Sequence, residues 1–152
     1  MSGRPKVADA ALYETDETAW LDRTADRLRL GRFDEIEPQI LAEYLTDMAR
    51  RDRKEVFSRL TVLLVHVLKW VFQPDKRSGG WKATILTQQQ ELVYELRSGT
   101  LRNHAETVLP ETYTNAVARA AAETGLPATA FPQTCPHMLD ELIAPDLIDK
   151  LS

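Results

Sequence analysis

The 152-residue chain has a single cysteine, only six glycines, and no apolar run long enough to cross a bilayer. Each scarcity removes a class of function. With Cys135 alone, neither an intrachain disulfide nor a four-thiolate zinc site can form, and the usage fits a reducing cytoplasm. The most apolar stretch, residues 60–72, contains Thr61, His66 and Lys69 and falls short of the ~20 residues that a spanning helix needs. No apolar stretch follows Arg4 and Lys6, as a secretory signal would require. A soluble, cytoplasmic protein without a membrane partner is expected. Glycine-rich phosphate loops, nucleophile elbows and aromatic-basic RNA-binding patterns are absent as well.

Charge is present but uneven. The net charge of −4 conceals a middle segment, residues 50–82, with nine Lys/Arg against three acids, or +6. The rest of the chain carries 10 basic and 20 acidic side chains, or −10. Arg50, Arg51, Arg53, Lys54, Lys76, Arg77 and Lys82 are the residues that a nucleic acid would meet. The plainer account makes them solvated helix faces, and the acidic balance of the whole chain favours it. Nucleic acid is therefore not the expected partner.

Almost nothing reads as a strand, and apolar residues recur three or four apart between well-spaced Gly and Pro. Residues 1–11 are expected to form a flexible N-terminal tail, and 12–152 a single helical domain. Thr15 or Asp16 caps a first helix that Gly31 closes. Pro38 opens a second, with Leu41, Tyr44, Leu45 and Met48 facing inward. A long central helix over about 52–73 is apolar around most of its circumference. Pro74 and the Gly79-Gly80 pair break the chain before a fourth helix, which Gly99 ends. A fifth is expected to kink or restart at Pro110 and to finish at Gly125, and a short helix follows Pro136. The fold class is all-α, an irregular bundle of five to six helices.

One polar-aromatic constellation stands out. On a helix His66, Trp70 and Gln73 are neighbours, with Lys69 beside them; across the glycine break Trp81, Thr84, Ile85, Gln88 and Leu92 follow. A pocket between two antiparallel helices could use the tryptophans as walls, His66 as a proton-transfer group, and Thr84 and Gln88 as orienting donors. Without a ligand, the tryptophans anchor the core and Gln88 is a buried amide satisfied by backbone. This second account is preferred.

Other candidates are weaker. His66, His104 and His137 lie on separate elements without a neighbouring ligand at metal spacing, and Glu43 with Asp47 reads as a solvated face. No metal and no cofactor are expected. Cys135 and His137 flank Pro136, but no third group orients a thiolate, so a turn explains the segment.

Several segments together resemble a bacterial family, domain of unknown function 29. They are LYETD at 12–16 with Trp20, GRFD at 31–34, LLVHVLKWVFQP at 63–74, WKATI at 81–85, ETGLP at 123–127 and FPQTCP at 131–136. The resemblance implies an all-helical fold and carries no activity. Two positions depart from it. Glu43-Tyr44 stands where an acidic pair is expected, and Gly80 where a serine usually precedes the tryptophan; both weaken a Glu/His catalytic site. The function expected is a non-enzymatic protein-interaction or regulatory module, its partner another protein or a second copy. A ligand-binding or enzymatic pocket around His66, Trp70 and Trp81 is the alternative, and nucleic-acid binding through residues 50–82 a further one.

Overall fold

Good helix formers interrupted by few breakers decide most of the architecture. A computed structural model describes residues 3–151, with side chains from residue 9 onward; seven α-helices and no strand occur among the described residues. They are α1 (Gly3–Thr15), α2 (Glu17–Arg29), α3 (Pro38–Phe72), α4 (Gly79–Glu95), α5 (Gly99–Thr124), α6 (Leu139–Leu142) and α7 (Leu147–Lys150). Short 3-10 turns precede α3, follow α3 and follow α5. No helix is long and apolar enough to cross a membrane among the described residues. The chain divides into two compact units, residues 1–50 and 51–152, with the boundary inside α3.

In the first unit, α1 runs through most of the stretch expected as a tail; residues 1 and 2 lie outside the described residues. Its alanine-rich second half has high helix propensity. Asp9, almost fully buried, fixes it to α2 through an ion pair and hydrogen bond with Arg27 and a 3.5 Å contact with Arg23. Asp16 caps α2 by accepting from the Ala19 amide at 3.1 Å, as its residue type predicts. Gly31 ends that segment at φ 71, in the left-handed region that glycine tolerates. Trp20 is the anchor of this unit. Tyr13 meets it edge-on at 4.8 Å and Tyr44 lies tilted at 5.5 Å, contacts worth about 0.5–1.5 kcal/mol per pair beyond burial.

The helix opened by Pro38 and the central helix are one element of 35 residues, not two. No Gly or Pro falls between Pro38 and Pro74. Ion pairs one turn apart, Asp47–Arg50 at 2.8 Å and Glu55–Arg59 at 2.5 Å, support the stretch where a loop had been expected. A helix of that length spans about 52 Å.

In the second unit α3 is buried on nearly every side: Leu60, Thr61, Leu63, Leu64, Val65, Val67 and Leu68 all lie in the core. α4 contributes Ile85 and Leu92, and α5 contributes Ala105, Ala116 and Ala120, whose small side chains permit close helix approach. α5 does not restart at Pro110 but runs on to Thr124, where Gly125 at φ 75 forms the expected left-handed cap. The segment after Pro136 forms two single-turn helices, α6 and α7.

Candidate functional site

The constellation read from the sequence lies in the second unit, and its polar tips are engaged by neighbours. His66 bonds through Nδ1 to the Val62 carbonyl at 2.8 Å; a carbonyl can only accept, so Nδ1 carries a hydrogen. Lys69 places its ammonium 3.2 Å from Glu123 of α5 and 4.6 Å from the centre of the Trp81 ring. The Arg77 guanidinium lies 4.9 Å over the Trp70 ring and donates through Nε to the Trp70 carbonyl at 2.8 Å. Gln73 donates to the Thr124 carbonyl at 3.5 Å. The Thr84 hydroxyl donates to the Gly80 carbonyl one turn back, at 3.0 Å. Lys69 and Trp81 are thus brought together, while Gln88 is drawn toward Arg59.

The buried amide is Gln89, one residue beyond the position singled out in sequence. It is almost fully buried and donates from Nε2 to the Leu142 carbonyl at 2.9 Å and the Ala144 carbonyl at 2.8 Å. Spacings of three and four from Ile85 both point inward on a helix, so periodicity alone does not separate 88 from 89.

A charge cluster centred on Arg59 was not anticipated. Its Nε donates to Glu55 at 3.1 Å and Glu95 at 2.9 Å, its Nη1 to Gln88 at 3.3 Å, and Glu91 stands 3.8 Å from Nη2. One cation therefore serves three carboxylates. The Glu95 side chain is only 14% exposed, and its Oε2 is buried without a hydrogen-bond partner. Burial pushes the Glu95 carboxyl above its ordinary range; the Arg59 hydrogen bond opposes this and the Glu55 charge adds to it. Arg59 and Glu95 are 36 residues apart, so only tertiary structure reveals the pairing.

Two of the recesses beside α5 share lining residues. One, of about 220 Å³, has Leu64, Val67, Leu68 and Val71 of α3 as its floor, with His137, Lys150 and Leu151 among its other lining residues. The second, of about 570 Å³, lies between Val117 and Ala118 of α5 and the segment carrying Ala128 and Phe131. Tyr113 and Pro132 line both, and the Tyr113 hydroxyl donates to the Pro132 carbonyl at 2.6 Å. Burial pushes the Tyr113 hydroxyl up to about 12, with the charge of Cys135 as a smaller cause. Cys135 donates to the His137 carbonyl at 3.3 Å. Its thiol too is pushed up, first by burial, against the lowering effect of that backbone bond; a raised thiol is a poor nucleophile near neutral pH. Among the described residues no group of three His, Cys, Asp or Glu side chains could hold a metal ion.

The outer face of α4 is the remaining feature. Leu86, Val93 and Tyr94 are 46%, 46% and 67% exposed, whereas Ile85, Gln89 and Leu92 of the same helix are buried.

A family model described as "Domain of unknown function DUF29" matches residues 12–148. Neither the curated proteins nor the solved structures contain a match to the chain.

Proposed function

The chain belongs to the domain of unknown function 29 family, and within it we propose that this member is a non-enzymatic interaction module that pairs with a second copy of itself through the outer face of α4. The observation that carries this reading is the exposure of Leu86, Val93 and Tyr94 on one side of a helix whose other side is core. Their spacing also favours a two-fold partner. Leu86 lies four residues before Gln90 and Tyr94 four residues after it. An antiparallel pair of α4 helices crossing at Gln90 sets each Leu86 against the Tyr94 of the other copy, and the two Gln90 amides against each other. The engagement of His66, Lys69, Gln73 and Thr84 by neighbouring groups supports a structural role for that motif. We take the protein to be bacterial and cytoplasmic; the free thiol of Cys135 fits a reducing compartment.

A single helix pair buries less than the ~800 Å² per partner of a standard interface, so self-association with Kd of about 10–100 µM is expected. Sedimentation velocity over a concentration series tests it. A concentration-dependent dimer that disappears in the Leu86→Glu/Tyr94→Glu variant, with helical circular dichroism unchanged, supports the reading. A wild-type chain that stays monomeric at several times the expected Kd sinks it.

A further inference from the structure

We propose that the smaller recess beside α3 is a binding site for a small arylalkyl carboxylate, a phenyl ring carrying a short chain that ends in a carboxylate. The argument starts from its walls. Leu64, Val67, Leu68 and Val71 contribute aliphatic groups from consecutive turns of α3, and Leu151 adds another. Aliphatic walls on a rigid core helix attract an apolar body and have no hydrogen bond to offer its interior. The hydroxyl of Tyr113, also in the lining, already donates to the Pro132 carbonyl.

Size sets the body. An apolar cavity of about 150 Å³ accommodates a benzene ring. The recess, at about 220 Å³, has room for a ring and two or three further carbons.

Charge sets the head. Among the described residues no acidic side chain lines the recess, while Lys150 and His137 both do. Each has a carboxylate behind it, but neither is committed. His137 Nδ1 is 4.0 Å from Glu141, beyond hydrogen-bond range. The Lys150–Asp146 pair, at 3.1 Å, involves a lysine whose side chain is 72% exposed, and such a pair contributes little and exchanges readily. A ligand carboxylate at the rim replaces a water-exposed partner while its ring occupies apolar space. An ammonium head would meet Lys150 and be repelled.

The site lies on faces that α4 does not contribute to, so it stands or falls independently of self-association. The test is a titration of methyl-labelled protein with sodium 3-phenylpropionate, and with 3-phenylpropan-1-ol as the uncharged control, at low salt. For about eleven non-hydrogen atoms a Kd near 1 mM is expected. Saturable shifts should centre on the methyl groups of Leu64, Val67, Leu68 and Leu151, with the alcohol at least about fivefold weaker. Lys150→Gln, an exposed change that leaves the fold intact, should bring the carboxylate down to the affinity of the alcohol. Val71→Phe should fill the recess and abolish both. Absence of saturation by about 10 mM overturns the site. Equal affinity for acid and alcohol overturns the carboxylate assignment, and shifts that survive Val71→Phe place the ligand elsewhere.

Discussion

Replacing Arg59 by methionine removes the cation that bonds Glu55 and Glu95 and stands beside Glu91, while retaining most of the apolar stem. Breaking a fully buried ion pair by deleting one partner costs about 3–5 kcal/mol, because the other charge is stranded. Here the stranding is partial. Glu55 and Glu91 are about half exposed and can turn to water, and Arg59 itself is 24% exposed. Glu95, with its unpartnered Oε2, cannot turn away. Screening by solvent thus reduces the expected loss to about 2 kcal/mol at pH 7, or a fall in Tm of about 4–8 °C for a chain of this length. The pH dependence identifies the cause. The Glu95 carboxyl is raised in the folded protein above an ordinary value of 4.5. A group raised on folding contributes stability that is fully present below its unfolded value and lost as pH climbs through the folded one. Without Arg59 the influence that lowers it is gone, and the folded value climbs further. Urea denaturation of the two proteins should therefore show a small difference at pH 4.5 that widens toward pH 7.5. The double variant Arg59→Met/Glu95→Gln should recover most of the loss at pH 7.5. A difference that is the same at both pH values, or no recovery in the double variant, would refute the account.

Three further outcomes concern polar side chains at the core and its edge. Gln89→Leu strands the carbonyl of Leu142 and leaves that of Ala144 with the Leu147 amide at 3.1 Å; losing the two bonds at 2.9 and 2.8 Å should cost about 2 kcal/mol in chemical denaturation. Gln88→Ala, which removes one contact at 3.3 Å, should cost under about 1 kcal/mol. Tyr113→Phe should lose about 1 kcal/mol at neutral pH and abolish a tyrosinate absorbance component near pH 12 in rapid alkaline jumps; because that hydroxyl is raised from 10, its contribution is complete below pH 10 and lost as pH rises through about 12.

What could be read in the sequence was local chemistry. The caps at Asp16 and Gly125 and the turn at Gly31 depend on a few adjacent residues, and they stand where the sequence places them. The all-round apolar character of residues 60–68 marks a helix enclosed by others, and that burial is what the structure has. What could not be read depends on partners far along the chain or on fine phase. Arg59 meets Glu95, Lys69 meets Glu123, and Tyr113 meets Pro132 only after folding. Gln88 and Gln89 differ by one residue, a rotation of about 100°, and both fall within the inward half of an amphipathic helix. α1 escaped notice because alanine, its main signal, reads as neutral in an apolar-polar pattern although it is the best helix former. The recess beside α3 had a weaker signal: two prolines flanking Cys135 in an irregular segment that cannot lie flat against a helix.

The polar residues that looked most like a site share a different property. The last four carbonyls of every helix have no partner within the helix. In the second unit several are served by side chains from elsewhere: Trp70 near the end of α3 by Arg77, Thr124 at the end of α5 by Gln73, and Leu142 at the end of α6 by Gln89. Trp70 and Gln73 belong to the constellation itself, and Lys69, another member, reaches Glu123 beside the same α5 terminus. Helix ends must be closed in a fold with short connections, and Gln73 and Arg77 close two of them. Gln73 and Arg77 reach two different helix termini, His66 and Thr84 bond carbonyls one turn back within their own helices, and Lys69 pairs with Glu123. Two features away from these contacts are the outer face of α4 and the recess rimmed by His137 and Lys150.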